Sequence, residues 1–157
     1  MNLNLILGNL CMNQTDFSQQ KILVVDDNTH YLRLIERILQ INCYQNIMTL
    51  TDPQSVVDTY KSLKPDLLLI DIQTSSINGL DILNELRKEK RDERLPVILF
   101  TEQKNADQMV KALELGIQDV IARPFSQKDV LLSISSFFEA NRCAAQASYK
   151  AFHNFHE

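Results

Sequence analysis

Residues 65–71 have the sequence Pro-Asp-Leu-Leu-Leu-Ile-Asp. The four apolar positions Leu67 to Ile70 indicate a strand that is covered on both faces of its sheet. Pro65 ends the helical pattern before this strand, and Asp71 ends the apolar run. A strand of this kind is typical of a parallel sheet that has a layer of helices on each side.

Predicted strands and helices alternate along the chain from Lys21 onwards. The predicted strands are 22–25, 46–50, 67–70, 97–100 and 120–122, and the predicted helices begin near residues 29, 53, 79, 109 and 127. This alternation predicts an α/β fold, a doubly wound (βα)5 flavodoxin-like three-layer sandwich. We expect a parallel sheet in the order 2-1-3-4-5, with ligands beyond the carboxyl ends of the strands.

Local signals mark the helices. Asp52 and Pro53 are typical of a helix start, and Gly116 fits a helix end because glycine tolerates positive φ. An apolar face of the first helix, residues 29–41, is predicted from the helical spacing of Tyr31, Leu34, Ile35, Ile38 and Ile41.

The length of 157 residues favours one domain, which we place at residues 21–138. Residues 1–20 are expected to be a mobile N-terminal extension without the features of a secretory signal. Residues 139–157 are expected to be a C-terminal helical extension. This extension is interpreted as a frayed tail or, alternatively, as a dimerising helix or a stalk to an output domain.

The net charge of −4 gives no general attraction to nucleic acid or to an anionic membrane. The basic residues between Arg87 and Arg94 alternate with acidic ones, which is typical of a solvated helix end. No apolar run approaches the roughly 18 residues of a membrane span. Cys11, Cys43 and Cys143 are odd in number and lack CxxC spacing, so we expect free thiols and a cytoplasmic location.

Polar residues follow four of the predicted strands. Asp26 and Asp27 follow the first, Asp71 the third, Thr101 the fourth and Arg123 the fifth. Strands one and three are neighbours in the expected order, so the three carboxylates converge there. Such carboxylates repel one another unless a cation neutralises them, and an oxygen-rich acidic pocket suits Mg²⁺.

This constellation has the parts that phosphoryl transfer needs. A carboxylate beside Mg²⁺ can attack a phosphoryl group and form an acyl phosphate. Mg²⁺, the hydroxyl of Thr101 and the cation of Arg123 can stabilise the charge on the transferring oxygens.

The chain from Ile22 to Phe138 resembles the receiver domains of bacterial two-component response regulators. The resemblance is carried by five segments, which are 22–28 (ILVVDDN), 65–71 (PDLLLID), 78–80 (NGL), 96–101 (PVILFT) and 123–125 (RPF). It implies that Asp71 is the phosphoacceptor and that Thr101 and Arg123 contact the phosphoryl group. Asp26, Asp27, Asp71 and the backbone carbonyl of Gln73 would hold Mg²⁺, and Pro124 would follow a cis peptide bond.

The resemblance also implies a function. A histidine kinase or phosphotransfer protein would phosphorylate Asp71, and this would switch a surface of helix 4, strand 5 and helix 5 for a protein partner or a missing output domain. A homodimer is a further expected assembly. The chain would be a self-phosphorylating acceptor that also loses its phosphoryl group by hydrolysis, and not a dedicated enzyme.

The sequence departs from the family pattern near the site. Arg123 replaces the family's lysine, Val120 its switch aromatic and Ser75 its common proline, while Glu102 replaces a small residue. Gln73 and Gln103 occupy positions that tune the lifetime of the phosphoryl group in this family. Arg123 is a planar fork where lysine is a point charge, so it either reaches the phosphate or pairs with Asp71 and holds one state.

The departures keep a second hypothesis open, a phosphorylation-independent pseudo-receiver that acts as a dimerisation or interaction module. A dehalogenase-like phosphatase ranks lower, because Gln73 stands where that family has its second aspartate. Dinucleotide and P-loop enzymes are excluded because neither glycine-rich motif occurs. A nucleic-acid regulator would need an additional output domain.

Overall fold

The computed structural model describes residues 17–88, 96–102 and 106–154. The strands are β1 (Lys21–Val25), β2 (Asn46–Leu50), β3 (Leu67–Asp71), β4 (Val97–Thr101) and β5 (Asp119–Ala122). The helices are α1 (Thr29–Ile41), α2 (Val56–Leu63), α3 (Gly79–Lys88), α4 (Ala106–Glu114) and α5 (Gln127–Asn154). A 3₁₀ turn, Pro53–Ser55, precedes α2.

The five strands form one parallel sheet in the order β2-β1-β3-β4-β5, which confirms the predicted fold and strand order. Both β3 and β4 are buried at every position. Ile22 and Val24 face one hydrophobic cluster with α1 and α5, whereas Leu23 and Val25 face a second cluster with α2, α3 and α4. The alternation along β1 therefore places one apolar layer on each side of the sheet.

The helix ends predicted at Asp52–Pro53 and at Gly116 agree with the structure. At the start of α1, the Asn28 side chain provides a cap that was not predicted, by accepting from the backbone N–H groups of His30 and Tyr31. Asp52 caps the 3₁₀ turn with Pro53 at its first position. Gly116, the second residue after α4, has a φ of 70°, and its N–H donates to the carbonyl of Leu113. Glycine adopts this left-handed conformation without strain.

The predicted apolar face of α1 is wrong in part. The buried residues of this helix are Leu32, Ile35, Ile38 and Leu39. Leu34 and Ile41 are 44% and 49% exposed. Each follows a buried leucine by two positions, a rotation of about 200° around the helix, so both lie on the side away from the sheet.

The segment before β1 packs against the domain from Phe17 onwards. The ring of Phe17 lies 5.3 Å from the ring of Phe138, and Asn46 donates from its side chain to the carbonyl of Gln19. These contacts tie residues 17–20 to α5 and β2. Residues 1–16, the rest of the predicted mobile extension, lie outside the described residues.

Helix α5 is continuous for 28 residues, from Gln127 to Asn154. Residues 139–148 are exposed at every position, so this part of the helix extends beyond the sandwich. Cys143, in this part, is a free thiol, whereas Cys43 is disulfide-bonded. The expectation of free thiols is therefore wrong for Cys43.

Among the described helices, none is both long enough and apolar enough to span a bilayer. The basic group predicted at a helix end is described only for Arg87 and Lys88. There the Arg87 guanidinium donates to the backbone carbonyls of Leu115 and Gly116. This arginine therefore ties α3 to the end of α4.

We expect Phe17→Ala to lower the free energy of unfolding by about 1–2 kcal/mol, because it removes a partly buried ring and its contact with Phe138. Urea unfolding followed by circular dichroism measures this. Leu113→Ala, at a side chain that is 65% exposed, is the control, with an expected change below about 0.5 kcal/mol. Equal stabilities of the two variants would show that residue 17 contributes nothing to the folded unit.

Candidate functional site

The carboxyl ends of β1 and β3 bring three carboxylates together. The two strands are adjacent, with Val25 opposite Ile70, so Asp26 and Asp27 follow β1 beside Asp71 at the end of β3. One carboxylate oxygen from each aspartate lies within 4.8 Å of the others. Asp26 and Asp71 are buried, and Asp27 is half-buried. The predicted convergence of these side chains is therefore present.

Arg123 bridges two of these carboxylates. It follows β5, at the edge of the sheet, and its side chain is 3% exposed. One terminal nitrogen, Nη1, donates to Asp71 Oδ2 at 3.0 Å, and the other, Nη2, donates to Asp26 Oδ2. The planar guanidinium thus binds one carboxylate with each terminal nitrogen. The ammonium of a lysine is a single point charge and lacks this two-nitrogen geometry.

Two aromatic rings lie next to the guanidinium. The ring centroid of Tyr31, on α1, is 4.0 Å from Arg123 Cζ, and that of Phe100, on β4, is 5.5 Å away. Both distances lie within the range of a cation–π contact, which is stronger at a desolvated site. Arg123 is therefore held by two carboxylates and by aromatic rings from two different elements.

Backbone N–H groups occupy the remaining oxygens of the bridged carboxylates. Asn28 N–H donates to Asp26 Oδ1 at 2.8 Å, and Gln73 N–H donates to Asp71 Oδ1 at 3.1 Å. The third carboxylate, Asp27, accepts from the N–H of Ser75 at Oδ2. Each carboxylate of the site is therefore fixed by a loop that follows its own strand or a neighbouring one.

The environment shifts the pKa values of the three carboxyl groups in different directions. Burial raises the pKa of Asp26 and of Asp71 above the ordinary value, against the opposing effects of Arg123 and of the backbone donors. Burial also tends to raise the pKa of Asp27, but the hydrogen bonds from Ser75 outweigh it and the pKa is lowered. Asp27 therefore keeps its negative charge most readily.

Thr101 ends β4 with no exposed surface, next to Ala122 of β5. Its carbonyl accepts from the N–H of Arg123 at 2.8 Å, so the backbone of Arg123 is anchored to the strand that carries Thr101. Apart from tyrosines, the buried polar or charged residues among those described are Asp26, Asp71, Thr101 and Arg123. All four lie at one edge of the sheet.

The sequence departure at Ser75 has a structural counterpart. The N–H of Ser75 that binds Asp27 would not exist in a proline. The peptide bond between Arg123 and Pro124 is cis, as the resemblance implies. Glu102 is exposed after β4, Val120 is half-buried in β5, and Gln103 lies outside the described residues.

The start of α3 lies against the backbone of Asp71. A Cβ atom on Gly79 would lie 2.2 Å from the carbonyl oxygen of Asp71. The N–H of Gly79 donates to the carbonyl of Ile72 at 2.8 Å, and Gln73 pairs with Asn78 across the loop. A side chain at residue 79 would push the loop away from Asp71, so glycine is required here.

The donor set suits a hard divalent cation. Three carboxylates that offer oxygens within 4.8 Å match the ligands preferred by Mg²⁺, and Asp26, Asp27 and Asp71 are the residues that could hold it. The backbone of Gln73 adjoins the site through its N–H bond to Asp71. The Asp26 and Asp71 oxygens that face Arg123 are already engaged by its guanidinium.

Tyr31 belongs to the site without having been predicted there, and the contact of Ser75 with Asp27 was not predicted although Ser75 was expected near the site. Tyr31 was assigned to the apolar face of α1, whereas its ring lies against Arg123. Its position three residues after the Asn28 cap, in the first turn of the helix that follows β1, is the signal that could have placed it near the strand ends. Ser75 acts through its backbone N–H, which any residue except proline provides.

Comparisons with known proteins agree with this fold. A solved structure of a response regulator receiver domain protein from Methanospirillum hungatei superposes with a TM-score of 0.72 at 22% identity, covering 80% of this chain and 98% of that one. Because the two sequences are only 22% identical, this similarity supports the fold alone. The doubly wound parallel sheet thus has a direct structural counterpart.

The chain belongs to the response regulator receiver domain family, whose profile matches residues 22–135. The alkaline phosphatase synthesis transcriptional regulatory protein PhoP of Bacillus subtilis is 28% identical over 129 residues, which are 82% of this chain and 52% of PhoP. The probable transcriptional regulator ycf27 of Porphyridium aerugineum is 31% identical over 118 residues, 75% of this chain and 48% of ycf27. The chain spans about half the length of these curated relatives.

We expect Gly79→Ala to lower the free energy of unfolding by about 1–3 kcal/mol, because the new methyl group overlaps the Asp71 carbonyl and the loop must shift. Chemical unfolding measures the change. Ser76→Ala, on the exposed part of the same loop, is the control and should stay within about 0.5 kcal/mol of wild type. A Gly79→Ala protein as stable as wild type would contradict the close approach.

Proposed function

We propose that the chain is a phosphoacceptor switch in a two-component phosphorelay, with Asp71 as the acceptor. One observation carries this proposal. Apart from tyrosines, the buried polar or charged residues among those described lie together at one edge of the sheet, around Asp71; they are Asp26, Asp71, Thr101 and Arg123. Purely structural caps at strand ends would be exposed, and they would not share one buried cluster.

The proposed reaction is the transfer of a phosphoryl group to a carboxylate. An Asp71 oxygen attacks phosphorus and forms an acyl phosphate, while the bond from phosphorus to the donor breaks and the leaving group takes a proton from solvent. The donor is a histidine kinase or a phosphotransfer protein. In this proposal Thr101 and Arg123 donate hydrogen bonds to the phosphoryl oxygens, and hydrolysis of the acyl phosphate resets the switch.

We assign the metal role to Asp26, Asp27 and Asp71, with the backbone carbonyl of Gln73 as a further ligand. Mg²⁺ bound there would neutralise charge on the phosphoryl oxygens. The hydrogen bond from Ser75 holds Asp27 in its charged form, which is the form that binds a cation.

The proposed output surface consists of α4, β5 and α5. Val110 and Leu113 on α4 and Leu132 on α5 are 54%, 65% and 60% exposed. Where such side chains form a contiguous patch, they mark a surface that a partner covers. The occupant is a protein partner, an output domain beyond this chain or a second copy, with neither nucleic acid nor a membrane as a direct partner. Phosphorylation at Asp71 would bias this surface between two conformations.

A cytoplasmic location is part of this proposal, since the expected kinases deliver their phosphoryl groups there. The disulfide at Cys43 removes the support that free thiols would have given to this location. The location therefore rests on the proposed phosphodonor.

Incubation of the chain with acetyl phosphate and Mg²⁺, followed by intact-protein mass spectrometry, tests the acceptor. Wild type should gain the mass of one phosphoryl group, because a carboxylate at this site is a competent nucleophile. Asp71→Asn should gain nothing, and the control Asp58→Asn, on the exposed side of α2, should behave like wild type. A wild-type spectrum identical to that of Asp71→Asn would refute the assignment.

A second candidate function is an interaction module that works without phosphorylation. The bonds of Asp71 favour it, because Arg123 and the N–H of Gln73 already engage its two carboxylate oxygens. In that function the α4–β5–α5 surface would keep one conformation throughout.

Sedimentation of wild type and Asp71→Asn, each with and without acetyl phosphate and Mg²⁺, separates the two functions. With a second copy as the occupant of the output surface, the switch predicts that association of wild type alone changes with the phosphodonor, because only wild type carries the acceptor. An association state that is the same in all four samples would favour the interaction module.

A further inference from the structure

The Arg123 guanidinium engages carboxylate oxygens of the cluster that could hold a metal ion. Its two terminal nitrogens engage Oδ2 of Asp26 and Oδ2 of Asp71, which are two of the three aspartates of the acidic cluster. The opposite oxygens accept from backbone N–H groups. The cluster is thus partly neutralised by a cation of the chain itself.

The guanidinium is held in a built pocket. Tyr31 lies 4.0 Å from Cζ, and Phe100 lies on β4 at 5.5 Å. The side chain is 3% exposed, so water screens these interactions little. A flexible surface arginine would contact a carboxylate only intermittently, whereas this one is fixed by contacts from three strands and a helix.

The hold on Arg123 is nevertheless incomplete. Within the described part of the chain, its buried Nε–H has no hydrogen-bond partner. A buried donor without a partner is unfavourable, since it has lost its bond to water. This arrangement therefore leaves Arg123 easier to displace than a fully satisfied guanidinium would be.

We propose that Arg123 is a tethered cation that competes with Mg²⁺ for Asp26 and Asp71, and that Tyr31 is the residue that positions it. Metal entry then requires the guanidinium to release at least Asp26, so the competition sets how much Mg²⁺ is needed before Asp71 can accept a phosphoryl group. This inference rests on the proposed function for its Mg²⁺ site. Tyr31 acts through Arg123 and does not touch the phosphoryl group.

Calorimetric titration of the full chain with Mg²⁺ tests the competition. The dissociation constant for Mg²⁺ should fall about tenfold in Arg123→Lys, because one ammonium cannot span both carboxylates. It should fall about threefold in Tyr31→Leu, which keeps the cation but removes the ring beneath it. Tyr31→Phe keeps the ring, and Arg33→Lys makes the same chemical change on the exposed side of α1, so both controls should match wild type.

Urea unfolding in the presence of a chelator supplies the second measurement. Arg123→Lys should be less stable than wild type without metal, because part of the carboxylate pairing is lost, and Mg²⁺ should reduce this difference. If Arg123 had only a structural role, Arg123→Lys would lower the free energy of unfolding but would leave the affinity for Mg²⁺ unchanged or would weaken it. An unchanged or a weakened affinity for Mg²⁺ would therefore overturn the inference.

The outcomes separate this inference from the proposed function. Unchanged Mg²⁺ affinity in Arg123→Lys and Tyr31→Leu, with phosphorylation of wild type by acetyl phosphate, would overturn the competition and leave the acceptor assignment standing. A lack of Mg²⁺ binding by wild type and by every variant would overturn both the competition and the metal site.

Discussion

The bridge from Arg123 to Asp26 and Asp71 is the interaction on which the site depends. Two buried carboxylates beside a third would repel one another strongly without a nearby cation. Removing one partner of such a buried pair typically costs about 3–5 kcal/mol, because the remaining charge is left without compensation. In this structure the compensating charge is the guanidinium of Arg123, which follows the edge strand β5.

That bridge is available because of the strand order. In the sheet β2-β1-β3-β4-β5, the residues after β1 and β3 are adjacent, and an arginine after β5 reaches them across the end of β4. The apolar faces of the strands pack helices on both sides, so the carboxyl edge is the place left for polar groups. Gly79 completes the arrangement by letting α3 approach the Asp71 backbone.

Most of the fold could be predicted from the sequence. An unbroken apolar run such as Leu67–Ile70 identifies a central parallel strand, and regular alternation with helices indicates a parallel sheet covered on both faces. The strand order was expected by analogy with one of the common doubly wound orders. The start of α1 was predicted from helical spacing and the end of α4 from Gly116, which tolerates positive φ, whereas the capping role of Asn28 was not predicted. The exposure of Leu34 and Ile41 was not predictable, because spacing alone does not show which of two overlapping apolar stripes faces the sheet.

The members of the site could be predicted, but not how they are bonded. The order of Asp26, Asp27, Asp71, Thr101 and Arg123 at successive strand ends indicates their convergence, which depends only on topology. Which carboxylates the guanidinium spans depends on side-chain geometry, and Tyr31 joins it through a contact between distant elements. Ser75 contributes a backbone N–H, whose direction is set by the loop and not by residue type.

The central claim is that Arg123 spans Asp26 and Asp71 until a divalent cation replaces it. The most direct measurement is a pair of high-resolution crystal structures of the full chain, one free of divalent cations and one with Mg²⁺ and beryllofluoride as a phosphoryl mimic. The account predicts a guanidinium bound to both carboxylates beside Tyr31 in the first structure. In the second it predicts Mg²⁺ among the three aspartates, with the guanidinium released from Asp26. A guanidinium that stays bonded to both carboxylates beside a bound Mg²⁺, or that bridges neither one in the first structure, would contradict the account.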